Sequence, residues 1–91
     1  MSERRFRVEL APAAVRQLRK MPPGVAAALR APILALAIEP RPPGTTKLSG
    51  SNFWRLRSGD VRVIYCIDDR ERVVVVLRVV RRSESTYRQV R

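Results

Sequence analysis

"WRLRSGDVRVIYCIDD", residues 54–69, alternates in character on both sides of a glycine turn. Trp54 and Leu56 share one face, and Arg55 and Arg57 share the other. Ser58-Gly59-Asp60 reverses the chain, after which Val61, Val63, Tyr65 and Ile67 oppose Arg62, Ile64 and Cys66. A period of two either side of a short glycine turn predicts a β-hairpin with one buried face and one open face. Everything else in the sequence can be placed relative to that hairpin.

Downstream, "DDRE" (residues 68–71) turns the chain again into "RVVVVLRVV" (72–80), which is apolar on both faces except at Arg78. Such a strand needs neighbours on both sides. Upstream, "RRFRVEL" (4–10) alternates Phe6, Val8 and Leu10 with Arg5, Arg7 and Glu9, and is the only unused partner for the free side of the last strand. Between them lie two helical periodicities. The first begins at Pro12 and runs through Ala14, Val15, Leu18 and Met21 to a break at "PPG" (22–24). The second follows Val25, Ala28, Leu29, Ile33, Leu36 and Ala37 to the prolines of "EPRPPG" (39–44). Pro32 lies inside it and predicts a kink or split near residues 28–31, since an internal proline costs roughly 3 kcal/mol. Residues 40–51 read as a loop carrying Lys47. The expected architecture is one two-layer α+β domain over residues 1–91: an N-terminal strand, a helical hairpin, a mostly antiparallel sheet and a C-terminal tail.

The charge balance is lopsided. Lys and Arg number 19 against 8 Asp and Glu in 91 residues, a formal net charge of +11. Such a chain repels itself and calls for a polyanion or an acidic partner. If the helices cover the face bearing Trp54, Leu56, Val61, Val63 and Tyr65, alternation sends Arg5, Arg7, Arg55, Arg57, Arg62 and Arg78 to the uncovered face. Like charges side by side across strands destabilise a sheet, so the cluster is costly unless phosphate oxygens meet it. The tail "RRSESTYRQVR" (81–91) adds Arg81, Arg82, Tyr87 and Arg88. Tyr87 reads either as a surface anchor or as a phenol able to share a proton among cations.

Several classes are excluded. With no histidine and a single cysteine, Cys66, the chain can build neither a zinc site, a Ser/His/Asp triad nor a histidine ribonuclease pair. Nor can it form an internal disulfide, which fits a reducing, cytoplasmic setting. The apolar runs fall far short of the ~20 residues that cross a bilayer, and no signal peptide is visible, so no membrane association is expected. Cys66 itself reads as an inert buried thiol and Trp54 as core.

With these elements placed, the sequence resembles the RelE/ParE superfamily of toxins from bacterial type II toxin–antitoxin systems. The resemblance spans nearly the whole chain: "FRVELAPAAVRQLRKMPP" (6–23), "EPRPPGTTKLSG" (39–50), the hairpin motif, and the valine strand leading into "RRSESTYR". The hairpin is the most specific part, a basic strand and glycine turn followed by a motif like "YRVIY" and acidic turn residues. Within the superfamily it is the RelE branch that the chain resembles, toxins that cut mRNA in the ribosomal A site with basic residues and a C-terminal tyrosine. The resemblance implies catalytic roles for Arg62, for Arg81 or Arg82, and for Tyr87, and RNA-holding roles for Lys47, Arg55, Arg57, Arg78 and Arg88. It implies no metal and no cofactor. As partners it implies the ribosome with its mRNA and a cognate antitoxin offering an acidic or amphipathic segment. The tail departs from the family pattern, with Val80 and Arg81 where relatives carry Gly and His, and with one extra residue before Tyr87. The alternatives are a ParE-like inhibitor of DNA gyrase and a catalytically inactive nucleic-acid-binding relative.

Overall fold

The computed structural model describes residues 5–81, and Arg82, Tyr87 and Arg88 lie outside that range. Its elements are β1 (Arg7–Leu10), α1 (Pro12–Lys20), α2 (Pro23–Ala35), β2 (Thr45–Lys47), β3 (Phe53–Ser58), β4 (Val61–Asp68) and β5 (Val73–Arg81). They form one sheet in the order β1-β5-β4-β3-β2, antiparallel throughout except for the parallel pair β1–β5. The valine strand thus has the two neighbours its composition demanded.

The decisive hairpin closes through a two-residue loop, Gly59-Asp60, between the paired residues Ser58 and Val61. Gly59 has φ of 61°, while Asp60 is not in the left-handed region, the pattern of a tight turn whose first position requires glycine. Its inward residues supply much of the core. Leu56, Val61, Val63 and Tyr65 are buried from β3 and β4, and Val74, Val76 and Val79 from β5. Ala14 of α1, Leu29 and Ile33 of α2, and Leu36 just beyond it close the core from the other side. Burying each of the larger side chains contributes about 1.5–3 kcal/mol.

Three details depart from the sequence reading. The "PPG" break is shorter than expected, because Pro22 caps α2 and Pro23 enters its first turn. Proline is well tolerated there, since its missing N–H would have no helical partner. α2 also runs unsplit through Pro32. Ala28, whose carbonyl loses its partner to that proline, lies on the exposed side, where water can serve the freed oxygen. Finally, residues 45–47 are a strand rather than loop, pairing with residues 54–56 at the sheet edge. Three residues between proline-rich and glycine-rich segments are too few to show a period.

The loop before β2 is fastened at several points. Tyr65 donates its hydroxyl proton to the Pro40 carbonyl at 2.7 Å. Arg41 donates to both Asp69 carboxylate oxygens at 3.2 and 2.7 Å, and its guanidinium lies 5.1 Å from the centre of the Trp54 ring. Trp54, read as core, is half-buried and packs against the core from its edge. Among the described residues, no helix is long and apolar enough to cross a membrane.

Candidate nucleic-acid interface

The sheet face turned away from the helices can be read as rows, because residues directly opposite one another across strands share a face. The first row is Arg57, Arg62 and Val80. The second, two residues along each strand, is Arg55, Ile64 and Arg78. The third is Phe53, Cys66 and Val75. Beyond it come Asp68 and Val73. Rows lie about 6.8 Å apart and neighbouring strands about 4.8 Å. Four arginines therefore occupy two adjacent rows on three strands, followed by an apolar row and then an acidic turn.

Arg78 reaches this face only through an irregularity. Strict alternation from the buried Val74 and Val76 would turn Arg78 into the core. Instead, Ile64 pairs with Arg78 and Tyr65 with Val76, so Leu77 is an extra residue that resets the alternation. Val79 goes inward in place of Arg78. The Val79 N–H donates at 2.6 Å to Oε1 of Gln17 on α1, which supplies its partner at the irregularity. Nothing in the sequence marked Gln17 for this part; a glutamine on a helix with many polar residues reads as solvent-facing.

The same shift moves Arg81. It pairs with Val61 on the helix-covered side, where its Nη2 donates to Asp60 Oδ2 at 3.2 Å. Arg81 is thus not brought together with Arg62, although the resemblance gives Arg81 or Arg82 a catalytic role beside it. Lys47 also lies apart from Arg62. It pairs with Trp54, on the face opposite Arg55, at the sheet edge. Arg7 shares the open face but stands on the far edge strand, ion-paired to Glu9 at 2.8 Å, and Arg5 precedes the strand. Cys66, read as buried, is half-exposed in the apolar row. The expected cluster of six is a compact group of four: Arg55, Arg57, Arg62 and Arg78.

Electrostatics separate this group from the acidic end of the molecule. Among the described residues, Arg55, Arg57 and Arg78 form no ion pair. By contrast, the hydrogen bond from Arg41 holds the Asp69 carboxyl below the usual carboxylate range. Asp68 is engaged in its turn, its Oδ1 accepting from the Arg70 and Glu71 N–H groups. Burial pushes the Tyr65 phenol above its ordinary value, so it serves as a hydroxyl donor to the loop and not as a base. Among the described residues there is no group of three or more His, Cys, Asp or Glu side chains placed to hold a metal ion. What this face can do chemically is bind phosphate oxygens with guanidinium forks and neutralise charge that builds on phosphorus.

Comparison with known proteins identifies the fold. A family described as ParE toxin of type II toxin–antitoxin system, parDE, matches residues 8–86. Curated protein sequences give no match. Among solved structures, the toxin–antitoxin complex RelBE2 of Mycobacterium tuberculosis contains a chain 32% identical, with TM-score 0.77, over 86% of this chain and 99% of that one. The archaeal RelE–RelB complex of Pyrococcus horikoshii OT3 matches at 28% identity and TM-score 0.76, over 85% and 94%. The intact E. coli RelBE toxin–antitoxin complex matches at 25% and 0.71, over 84% and 95%. The chain belongs to the RelE/ParE toxin family.

Proposed function

Building on that membership, we propose that the chain is the toxin of a type II toxin–antitoxin pair and acts as a ribosome-dependent mRNA endoribonuclease that inhibits translation. The observation that carries this reading is the pair of arginine rows on the open face, in a chain whose similar solved structures are RelE proteins. In the reaction, a ribose 2′-oxygen attacks its own 3′-phosphodiester. The 2′-O–P bond forms, the P–O5′ bond breaks, and the products end in a 2′,3′-cyclic phosphate and a 5′-hydroxyl.

Arg62 stabilises the charge on the pentacoordinate phosphorus, and Arg55, Arg57 and Arg78 hold flanking phosphates. Of the two tail arginines we assign the second phosphate contact to Arg82, since Arg81 is occupied by Asp60 on the other side of the sheet. Tyr87 orients or deprotonates the 2′-hydroxyl, and Arg88 assists in holding RNA. None of these groups is an efficient base at neutral pH, so the rate depends on the ribosome to position the substrate. The partner is an antitoxin whose acidic or amphipathic segment offsets the +11 charge, in keeping with the RelB-bound form of the similar structures. The setting is the cytoplasm, where ribosomes are.

A second reading, inhibition of DNA gyrase, is favoured by one observation: the matching family description is that of ParE. Incubating the purified chain separately with programmed ribosomes and with gyrase decides between them. The expected result is cleavage of ribosome-bound mRNA to cyclic-phosphate ends, with free mRNA uncut and supercoiling unaffected. Inhibited supercoiling without cleavage would overturn the proposal. On the cleaving side, Tyr87→Phe should lower the single-turnover rate by about 10²–10⁴ with ribosome affinity unchanged.

A further inference from the structure

The third row of the open face has no part in the chemistry described so far. Phe53, the first residue of β3, is 43% exposed, and it stands on the same strand and face as Arg55. Cys66 and Val75 continue the row across β4 and β5, both half-buried. These three, with Asn52, Ile67 and Val73, line a shallow hollow of about 580 Å³ rimmed by Asp68, Asp69 and Arg70. The hollow is apolar at its floor, polar at one end and open above.

Resting on the RNA-cleaving reading, we propose that Phe53 and the shelf beside it form a stacking subsite for one unpaired nucleobase of a single-stranded RNA whose phosphates lie on the arginine rows. Charge complementarity decides which part of a nucleotide meets each row. Phosphates are drawn to Arg55, Arg57, Arg62 and Arg78, whereas the rim of the hollow sets Asp68 and Asp69 beside Arg70 and offers no comparable cationic surface, so the uncharged part of a nucleotide is what the apolar row can accept. An aromatic ring beside a cationic groove is the usual means of holding single-stranded nucleic acid without reading its sequence. The row spacing of about 6.8 Å lets one nucleotide place its phosphate on the second row and its base on the third. A duplex would not serve, because its bases are stacked on each other and closed to the ring.

The test measures binding of the full chain to labelled hexaadenylate RNA and to the same ribose–phosphate chain without bases, in the absence of ribosomes. The wild type should prefer the base-bearing strand by about tenfold, the lower to middle range for one aromatic stack. Phe53→Leu, which keeps the apolar volume, should reduce that preference to below about threefold while leaving affinity for the base-free strand within about twofold. Phe53→Trp should keep the preference and show quenching of its added fluorescence on binding, beyond any change from Trp54 in the wild type. A preference that survives in Phe53→Leu overturns the inference, as does an equal loss for both strands. So does unchanged RNA binding with weakened binding of the antitoxin, which would make the shelf a protein-docking surface. Ribosome assays keep the two proposals apart. Base-dependent binding without mRNA cleavage removes the endoribonuclease reading and leaves the subsite, whereas cleavage with a Phe53-independent preference does the reverse.

Discussion

The two faces of the sheet are built by the same strands, residue by alternate residue, and share almost nothing else. On the covered face, Leu56, Val61, Val63, Tyr65, Val74, Val76 and Val79 are buried against two helices. On the open face, the intervening positions carry four arginines, an apolar shelf and an acidic end. Alternation lets a small domain keep stability and recognition on separate sets of side chains only one residue apart. Each set can then be altered with little effect on the other, which is what the following substitutions measure.

Arg62 and Val63 are the sharpest pair, adjacent in sequence and opposite in direction. Arg62→Ala should lower cleavage by about two to three orders of magnitude with thermal stability near wild type, because it removes charge stabilisation from the open face. Val63→Ala should lower unfolding free energy by about 2 kcal/mol in denaturant titrations while the folded fraction cuts at close to the normal rate. If Arg62→Ala unfolds the chain, or Val63→Ala abolishes the activity of folded protein, the faces are not separable.

Gln17→Leu tests the one place where they are tied together. Removing the acceptor of the Val79 N–H should cost about 1–3 kcal/mol. It should also weaken RNA binding, because the same irregularity turns Arg78 outward. Loss of stability with RNA affinity unchanged would show that Arg78 keeps its position without Gln17. Salt sharpens the same comparison: the four arginines of the sheet should contribute roughly −2.8 to the slope of log affinity against log salt, and each of them removed should bring the slope closer to zero by about 0.7.

The smallest effect concerns the Arg41–Asp69 pair. Asp69 has a lowered value in the fold, so its contribution is present above the ordinary carboxylate pKa of about 4 and is lost as pH falls through the lowered value. Both partners are substantially exposed, so Asp69→Asn should cost well under ~1 kcal/mol at neutral pH and nothing once the pH is below that window. A difference between variant and wild type that persists in strong acid would mean Asp69 acts other than through its charge.

Much of this arrangement is legible in residues 54–69 alone, because hairpin alternation with a glycine turn fixes register and therefore which side each residue faces. The interior place of the valine strand, between β1 and β4, followed from its two apolar faces. What alternation could not reveal is where it fails. Leu77 is one valine-like residue among many, and only the tertiary pairing with Ile64 and Tyr65 shows that it is the extra one. That single shift turns Arg78 to the open face and Arg81 to the covered one. Residues 45–47 read as loop for a related reason: β2 is too short to display a period, and the face of Lys47 is set by pairing with Trp54. The position of α2 about Pro32 depends on which carbonyl is left exposed, a property of packing that local propensity does not contain.

The parallel pairing of β1 with β5 has a kinetic consequence. β5 is the last strand of the described chain and β1 the first, yet they are direct neighbours, with Arg7 opposite Val73. A ribosome making this protein must release the chain through β5 before β1 can join the sheet, whereas the β3–β4 hairpin can form as soon as it emerges. Closing such a long loop costs entropy that is recovered only on docking, so refolding should be limited by the arrival of β1 at the edge of β5. A nascent chain that stalls before residue 73 has no edge to receive β1, and the arginine face lacks Arg78 until β5 has emerged.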